Sequence, residues 1–115
     1  MTGLQPLRIL VVDDQQEMRD LLCDVLRERD YEVAAAGDGE EALAALSGQP
    51  FELIISDIRM PAMDGVTLLE RVKAERGFTP FVVLITAFGD INDTVRLIDR
   101  GAYDYLIKPD RKSVV

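Results

Sequence analysis

The chain has 115 residues, 48% of them apolar, with 21 acidic and 13 basic side chains and a formal net charge of −8. That length suits one domain with a single core, and the apolar content excludes a disordered acidic tail. The charge leaves no basic stripe to meet nucleic-acid phosphates, and no apolar run approaches the length of a membrane span. The first residues, Met1-Thr2-Gly3-Leu4-Gln5-Pro6, show no basic region followed by an apolar one, so no secretory signal is visible. These features describe a soluble, cytoplasmic domain without direct nucleic-acid or membrane binding, suited to basic protein surfaces. Cys23 is the single cysteine and falls among helical apolar positions, which predicts a buried packing thiol.

In chain order, Arg8–Val12 reads as a first strand, followed by a helix over about Gln15–Arg29. Met18, Leu21, Leu22, Val25 and Leu26 recur there at helical spacing and predict one buried stripe. Glu32–Ala36 is a second strand and Gly37-Asp38-Gly39 a turn. An alanine-rich helix, about Glu40–Ser47, is expected to stop at Gly48. Leu53–Asp57 is a third strand, and Pro61 and Gly65 bracket a loop over residues 59–65. A helix over about Val66–Arg76 stops before Gly77, and Pro80 precedes a fourth strand, Phe81–Ile85. Asp90 can cap a short helix through Arg100, closed by Gly101, and Tyr105–Ile107 is a fifth strand. Strands three and four are nearly all apolar, as expected when both faces of a sheet are covered. The pattern is a five-stranded α/β domain with a parallel sheet.

Four short polar signals follow these strands: Asp13-Asp14, Asp57, Thr86 and Lys108-Pro109. Ligands bind outside the carboxyl ends of the strands in open parallel sheets, so three carboxylates, a hydroxyl and an ammonium are expected to meet there. Asp13-Asp14 alone reads more simply as a helix cap. Asp57 shifts that balance, because an irregular loop follows it and three converging carboxylates repel unless a cation sits among them. Mg²⁺ takes oxygen ligands and suits such a group. Lys108 is either a surface lysine at a strand end or an ammonium for a phosphate oxygen, and its bond to Pro109 is a cis-peptide candidate. Thr86 is either a β-branched strand terminator or a hydroxyl donor to a phosphoryl oxygen, and the small Ala87 beside it leaves access to Asp57.

With these residues in this order, the chain resembles the receiver domain of two-component response regulators from about Leu7 to Pro109. The matching text is Ile-Leu-Val-Val-Asp-Asp at 9–14, Ser-Asp-Ile-Arg-Met-Pro at 56–61, Met-Asp-Gly at 63–65, Leu-Ile-Thr-Ala at 84–87 and Lys-Pro at 108–109. The resemblance implies a flavodoxin-like, doubly wound five-stranded sheet of order 2-1-3-4-5. It implies that Asp57 accepts a phosphoryl group from a sensor histidine kinase. Asp14 directly, Asp13 through water and the Arg59 carbonyl then hold Mg²⁺ or Mn²⁺ beside Asp57. Thr86 and Lys108 contact the phosphoryl oxygens, and Tyr105 is the switch aromatic that turns inward when Thr86 shifts. The switched surface serves a downstream effector in transcriptional control. Gly-Ala-Tyr-Asp-Tyr-Leu-Ile-Lys-Pro and Arg59 look most like receivers of the nitrogen-regulatory class. In the flanking positions, Arg59 and Phe88 are expected to restrict water and slow hydrolysis of the aspartyl phosphate.

The chain departs from this pattern after Pro109, where Asp110 stands in place of the usual phenylalanine. Residues 110–115 can make at most about 9 Å of helix, too little to cover a sheet face. The last helix therefore reads as truncated to a short tail, as in a piece of a longer regulator. That truncation predicts an apolar patch beside the first helix, filled by a partner chain or by exchange within a homodimer. Two rivals are weaker. An aspartyl-phosphate phosphatase wants a second acid two residues after its nucleophile, where Arg59 stands. A nucleotide or flavin module wants a glycine- or hydroxyl-rich loop after the first strand, where Asp13-Asp14-Gln15-Gln16-Glu17 repels phosphate unless a metal intervenes. A receiver kept as a phosphorylation-independent interaction module is the third alternative.

Overall fold

The structure is a computed structural model and describes residues 6–75, 80–86 and 104–107. Its elements in chain order are β1 (Arg8–Val12), α1 (Gln16–Glu28), β2 (Glu32–Ala36), α2 (Gly39–Gly48), β3 (Leu53–Asp57), α3 (Gly65–Glu75), β4 (Phe81–Thr86) and β5 (Asp104–Ile107). The five strands are all parallel and lie in the order β2-β1-β3-β4-β5. The expected sheet and its order are therefore present. β4 runs one residue further than expected, so Thr86 ends the strand, and β5 begins one residue earlier, at Asp104. The expected helix over Asp90–Arg100, Ala87, Phe88, Lys108-Pro109 and the tail 110–115 lie outside the described residues.

Alternation along the strands divides the core between the two faces of the sheet. Leu10 and Val12 of β1, Ile54 of β3, and Val82 and Leu84 of β4 face α2 and α3. They pack with Ala42 and Leu46 of α2, Leu68, Leu69 and Val72 of α3, and Met60 and Met63 of the β3–α3 loop. Ile9, Val11, Ile55 and Ile85 face the other way and pack with Cys23 of α1, with Leu22 and Leu26 half-buried beside them. Cys23 is a buried free thiol, as its position among apolar residues predicted.

The stripe expected on α1 is only partly right. Leu22 and Leu26 pack on the sheet, but Leu21 and Val25 are 55% and 45% exposed. The inward arc runs through Cys23 instead, one hundred degrees from Leu22, and Leu21 and Val25 fall on its flank. Leu106, in register with the inward-facing Ile85, is also exposed on this side.

The starts of α2 and α3 are set by local side chains. Asp38 caps α2 by accepting the Glu41 N–H at 2.8 Å, and Asp64 caps α3 by accepting the Thr67 N–H at 2.8 Å. The end of α2 differs from expectation, since Gly48 is its last helical residue and the chain leaves through Gln49 in extended backbone. No left-handed glycine closes it.

Candidate functional site

The site is built at the carboxyl end of the sheet by β3, the central strand, and its inner neighbour β1. β1 ends at Val12, so Asp13 and Asp14 project from the strand terminus before α1 begins. β3 ends on Asp57 itself, in register with Ile85 of β4. Because neighbouring parallel strands end level, the carboxylates of Asp13, Asp14 and Asp57 converge, with one oxygen of each lying within 4.8 Å of the others. Asp13 is fully buried and Asp57 only 6% exposed, whereas Asp14 opens to solvent.

Backbone donors hold these acids. Asp13 Oδ1 accepts the Gln15 N–H at 2.9 Å, and the Asp13 N–H donates to Ala36 O at 3.2 Å, tying the loop to the end of β2. Asp57 Oδ1 accepts the Arg59 N–H at 3.3 Å, which folds the chain back just after β3. The simpler capping account of Asp13-Asp14 is therefore partly met: Asp13 takes a backbone donor before α1. The N-cap itself is Gln15, which makes no side-chain cap bond, and Asp14 stays clear of that role.

The β3–α3 loop is held from both ends. The Gly65 N–H donates to Ile58 O at 2.7 Å, and a Cβ on Gly65 would stand 2.5 Å from Asp57 O. Only glycine permits this approach of α3 to the acceptor strand. Ala62 sits at φ 68°, in the left-handed region that alanine rarely adopts. Met60 and Met63 anchor the loop in the core, and Met63 lies against Gly39, where a Cβ would fall 2.5 Å from its Sδ.

Of the residues singled out in the sequence, Asp13, Asp14 and Asp57 are brought together, and Arg59 stands two residues after Asp57 with an exposed side chain. Thr86 and Tyr105 lie in the backbone of β4 and β5, one strand and two strands away from Asp57. Lys108, Pro109, Ala87 and Phe88 lie outside the described residues. Two contributors had no sequence signal as site residues. Gly65 read as a loop boundary, and Arg19 carried no reading of its own, although its Nη1 donates to Asp13 O at 2.6 Å.

A parallel sheet of order 2-1-3-4-5 with acids converging at its carboxyl edge defines a receiver, and the family comparison agrees. The model of the response regulator receiver domain matches residues 9–115, and the chain belongs to that family. Among particular relatives, it is 44% identical over 109 residues to the transcriptional regulatory protein AruR of Pseudomonas aeruginosa, covering 89% of this chain and 43% of that one. It is 41% identical over 101 residues to ZraR of Salmonella typhimurium, covering 88% and 23%. The receiver domain of NtrX from Brucella abortus superposes with a TM-score of 0.83 at 37% identity, covering 90% of this chain and 87% of that one. These relatives bear out the likeness to receivers of the nitrogen-regulatory class. The chain spans less than half the length of AruR and about a quarter of ZraR. Among the described residues no helix is long and apolar enough to cross a membrane.

Proposed function

We propose that this domain is a phosphoryl-accepting switch in which Asp57 takes the phosphoryl group of a histidine kinase's phosphohistidine. The convergence of Asp13, Asp14 and Asp57 within 4.8 Å carries this reading. In the transfer, the P–N bond of phosphohistidine breaks as a P–O bond forms to Asp57. Little covalent work is asked of the protein, so positioning and charge neutralisation are its main contributions. The short β3 terminus and the Arg59 N–H bond hold the Asp57 carboxylate in one orientation. Its near-complete burial limits the approach of water.

The donor set fits Mg²⁺, or Mn²⁺ in its place. Three carboxylates are hard oxygen donors, and Mg²⁺ keeps waters in its shell at about 2.0–2.1 Å. Oxygens within 4.8 Å of one another can therefore share one ion directly or through such a water. Asp14, Asp13, Asp57 and the Arg59 carbonyl would hold it, and the ion would neutralise charge on the transferring group. Thr86 and Lys108 are assigned to the phosphoryl oxygens, and Thr86 with Tyr105 to the switch. Added charge at Asp57 would then bias the surface around β4 and β5. We assign Ala87 and Phe88, with Arg59, to the rim of the pocket, and a cis bond to Pro109 as the device that aims Lys108.

The domain, residues 1–115, is read as cytoplasmic, its output as control of transcription through an effector module or protein. Its relatives' names as transcriptional regulators support that output. Arg59 at the second position after Asp57 supplies no general acid, which favours a signalling role over turnover as a phosphatase.

Incubation with Mg²⁺ and acetyl phosphate is expected to add one phosphate mass to the chain. The shift should vanish without Mg²⁺ and in Asp57→Asn. A shift that persists in Asp57→Asn, or none in the wild type, defeats the proposal.

A further inference from the structure

We infer that Arg19 is a positioning residue of the acidic site, its guanidinium fixing the Asp13–Asp14 peptide in the orientation that presents both carboxylates to a divalent cation. The inference rests on the metal-site reading of Asp13, Asp14 and Asp57 given above. Arg19 lies in the second turn of α1, yet its Nη1 reaches back six residues to donate to Asp13 O at 2.6 Å. The donor is a cationic guanidinium, which makes this a charge-assisted bond. The carbonyl it grips belongs to the peptide between the two aspartates. Its orientation sets the direction in which Asp14 leaves β1.

The other side of the same residue is already held, because the Asp13 N–H donates to Ala36 O. Asp13 is thus clamped at both backbone groups, with its carboxylate turned by the Gln15 N–H. Gln15 provides no side-chain cap for α1, so Arg19 supplies a link from the helix to the end of β1.

The guanidinium is itself confined. A Cβ on Gly37 would come within 3.3 Å of Arg19 Nη1 and 3.3 Å of Glu41 Oε2. The Gly37 N–H donates to Glu41 Oε1 at 3.3 Å, which fixes the β2–α2 turn around this spot. Arg19 therefore sits half-buried between the end of β1 and that turn.

Arginine suits the task because its charge is permanent and its planar fork keeps one orientation, where a lysine supplies a mobile point charge. A positive group one peptide from the acids also offsets their mutual repulsion before a cation arrives. Partners that orient metal ligands in this way commonly change affinity by about 10-fold to 100-fold when removed.

The test compares wild type, Arg19→Met, Arg19→Lys, Gly37→Ala and Arg27→Met, the last removing an equal charge from the same helix away from the site. Mg²⁺ alone is titrated by calorimetry, and Mn²⁺ by electron paramagnetic resonance. Thermal midpoints without metal are recorded in parallel. Arg19→Met is expected to weaken Mg²⁺ by about 10-fold or more, and saturating Mg²⁺ should restore phosphorylation by acetyl phosphate. Arg19→Lys should recover only part of the affinity. Gly37→Ala should shift affinity in the same direction by crowding the guanidinium, and Arg27→Met should stay within about 2-fold. Wild-type affinity in both Arg19→Met and Gly37→Ala overturns the inference while leaving the metal site standing. If Arg19→Met fails to fold, wild-type affinity in Arg19→Lys overturns it. A wild type that binds neither metal removes the site reading and this inference with it.

Discussion

The face of the sheet covered by α2 and α3 buries fourteen residues in one cluster, whereas the face covered by α1 buries five among the described residues. On the first face, side chains from four strands, two helices and the β3–α3 loop close around Ile54, Leu69 and Leu84, none of them accessible to solvent. On the second, apolar side chains of α1 and β5 remain open, with Leu21 and Leu106 each more than half exposed. Asp57 shares its register with Ile85 of the thin face, while the loop after it is nailed into the thick face through Met60 and Met63. Among the described residues, the acceptor thus has a broad buried cluster on one side and a smaller one on the other.

The largest expected difference tests the division directly. Leu69→Ala removes a fully buried side chain from the thick face and should cost about 2–5 kcal/mol in urea unfolding. Leu21→Ala removes an exposed one from α1 and should stay within about 0.5 kcal/mol. Equal losses would show that the thin face is as tightly closed as the thick one, and the comparison would fail.

The same contrast governs what could be read from the sequence. The bounds of β1, β2 and β3 were legible to the residue, because short apolar runs flanked by polar turns have few alternatives. Asp13, Asp14 and Asp57 were legible as a site because a parallel sheet forces its strand-end residues together. The stripe on α1 was misread for a physical reason. Met18, Leu21, Leu22, Val25 and Leu26 span a wider arc than one sheet face can cover, and periodicity cannot say which flank is left open. Arg19 escaped notice because its partner is a backbone carbonyl, which has no signature in sequence. Gly65 and Gly39 read as turn residues, yet their role is to let Asp57 O and Met63 approach within contact distance. A close approach is a tertiary fact.

Glycine replacements give a middle-sized test on the thick face. In Gly39→Ala the new Cβ would meet Met63 Sδ at 2.5 Å, Cγ at 2.8 Å and Cβ at 2.9 Å. Overpacking of this kind should cost about 1–3 kcal/mol. In Gly48→Ala, at the other end of the same helix, nothing lies within 4 Å of the added methyl. That change should stabilise by up to about 1 kcal/mol through helix propensity. Ala62→Gly releases alanine from φ 68° and should also stabilise, by about 1 kcal/mol. All three are read from shifts in the urea midpoint at constant slope. A neutral Gly39→Ala would show that Met63 can move aside, and that the loop carrying Arg59 is less firmly held than its burial indicates.

The smallest effect sharpens the description of the thin face, and Cys23 reports it. Burial pushes the thiol pKa up, aided by the carboxylates of Asp20 and Asp24 and opposed by Arg27 and Arg19. The folded state therefore keeps its proton at pH values where the unfolded state has lost it. Stability is full below the unfolded thiol pKa and falls as pH rises through the folded value, because the unfolded state binds fewer protons. Urea midpoints measured from neutral to alkaline pH should decline, and Cys23→Ala should remove the part of that decline owed to the thiol. At neutral pH the thiol should react with a disulfide reagent far more slowly in the folded protein than in urea. Its residual rate separates two forms of thin face. A rate that rises with low urea concentrations means that Cys23 is reached only by cooperative unfolding. A rate insensitive to urea means that α1 opens locally, and the thin face is then the mobile part of the fold. Native reactivity equal to the unfolded rate would show that Cys23 is not buried in solution, and that α1 does not pack as described.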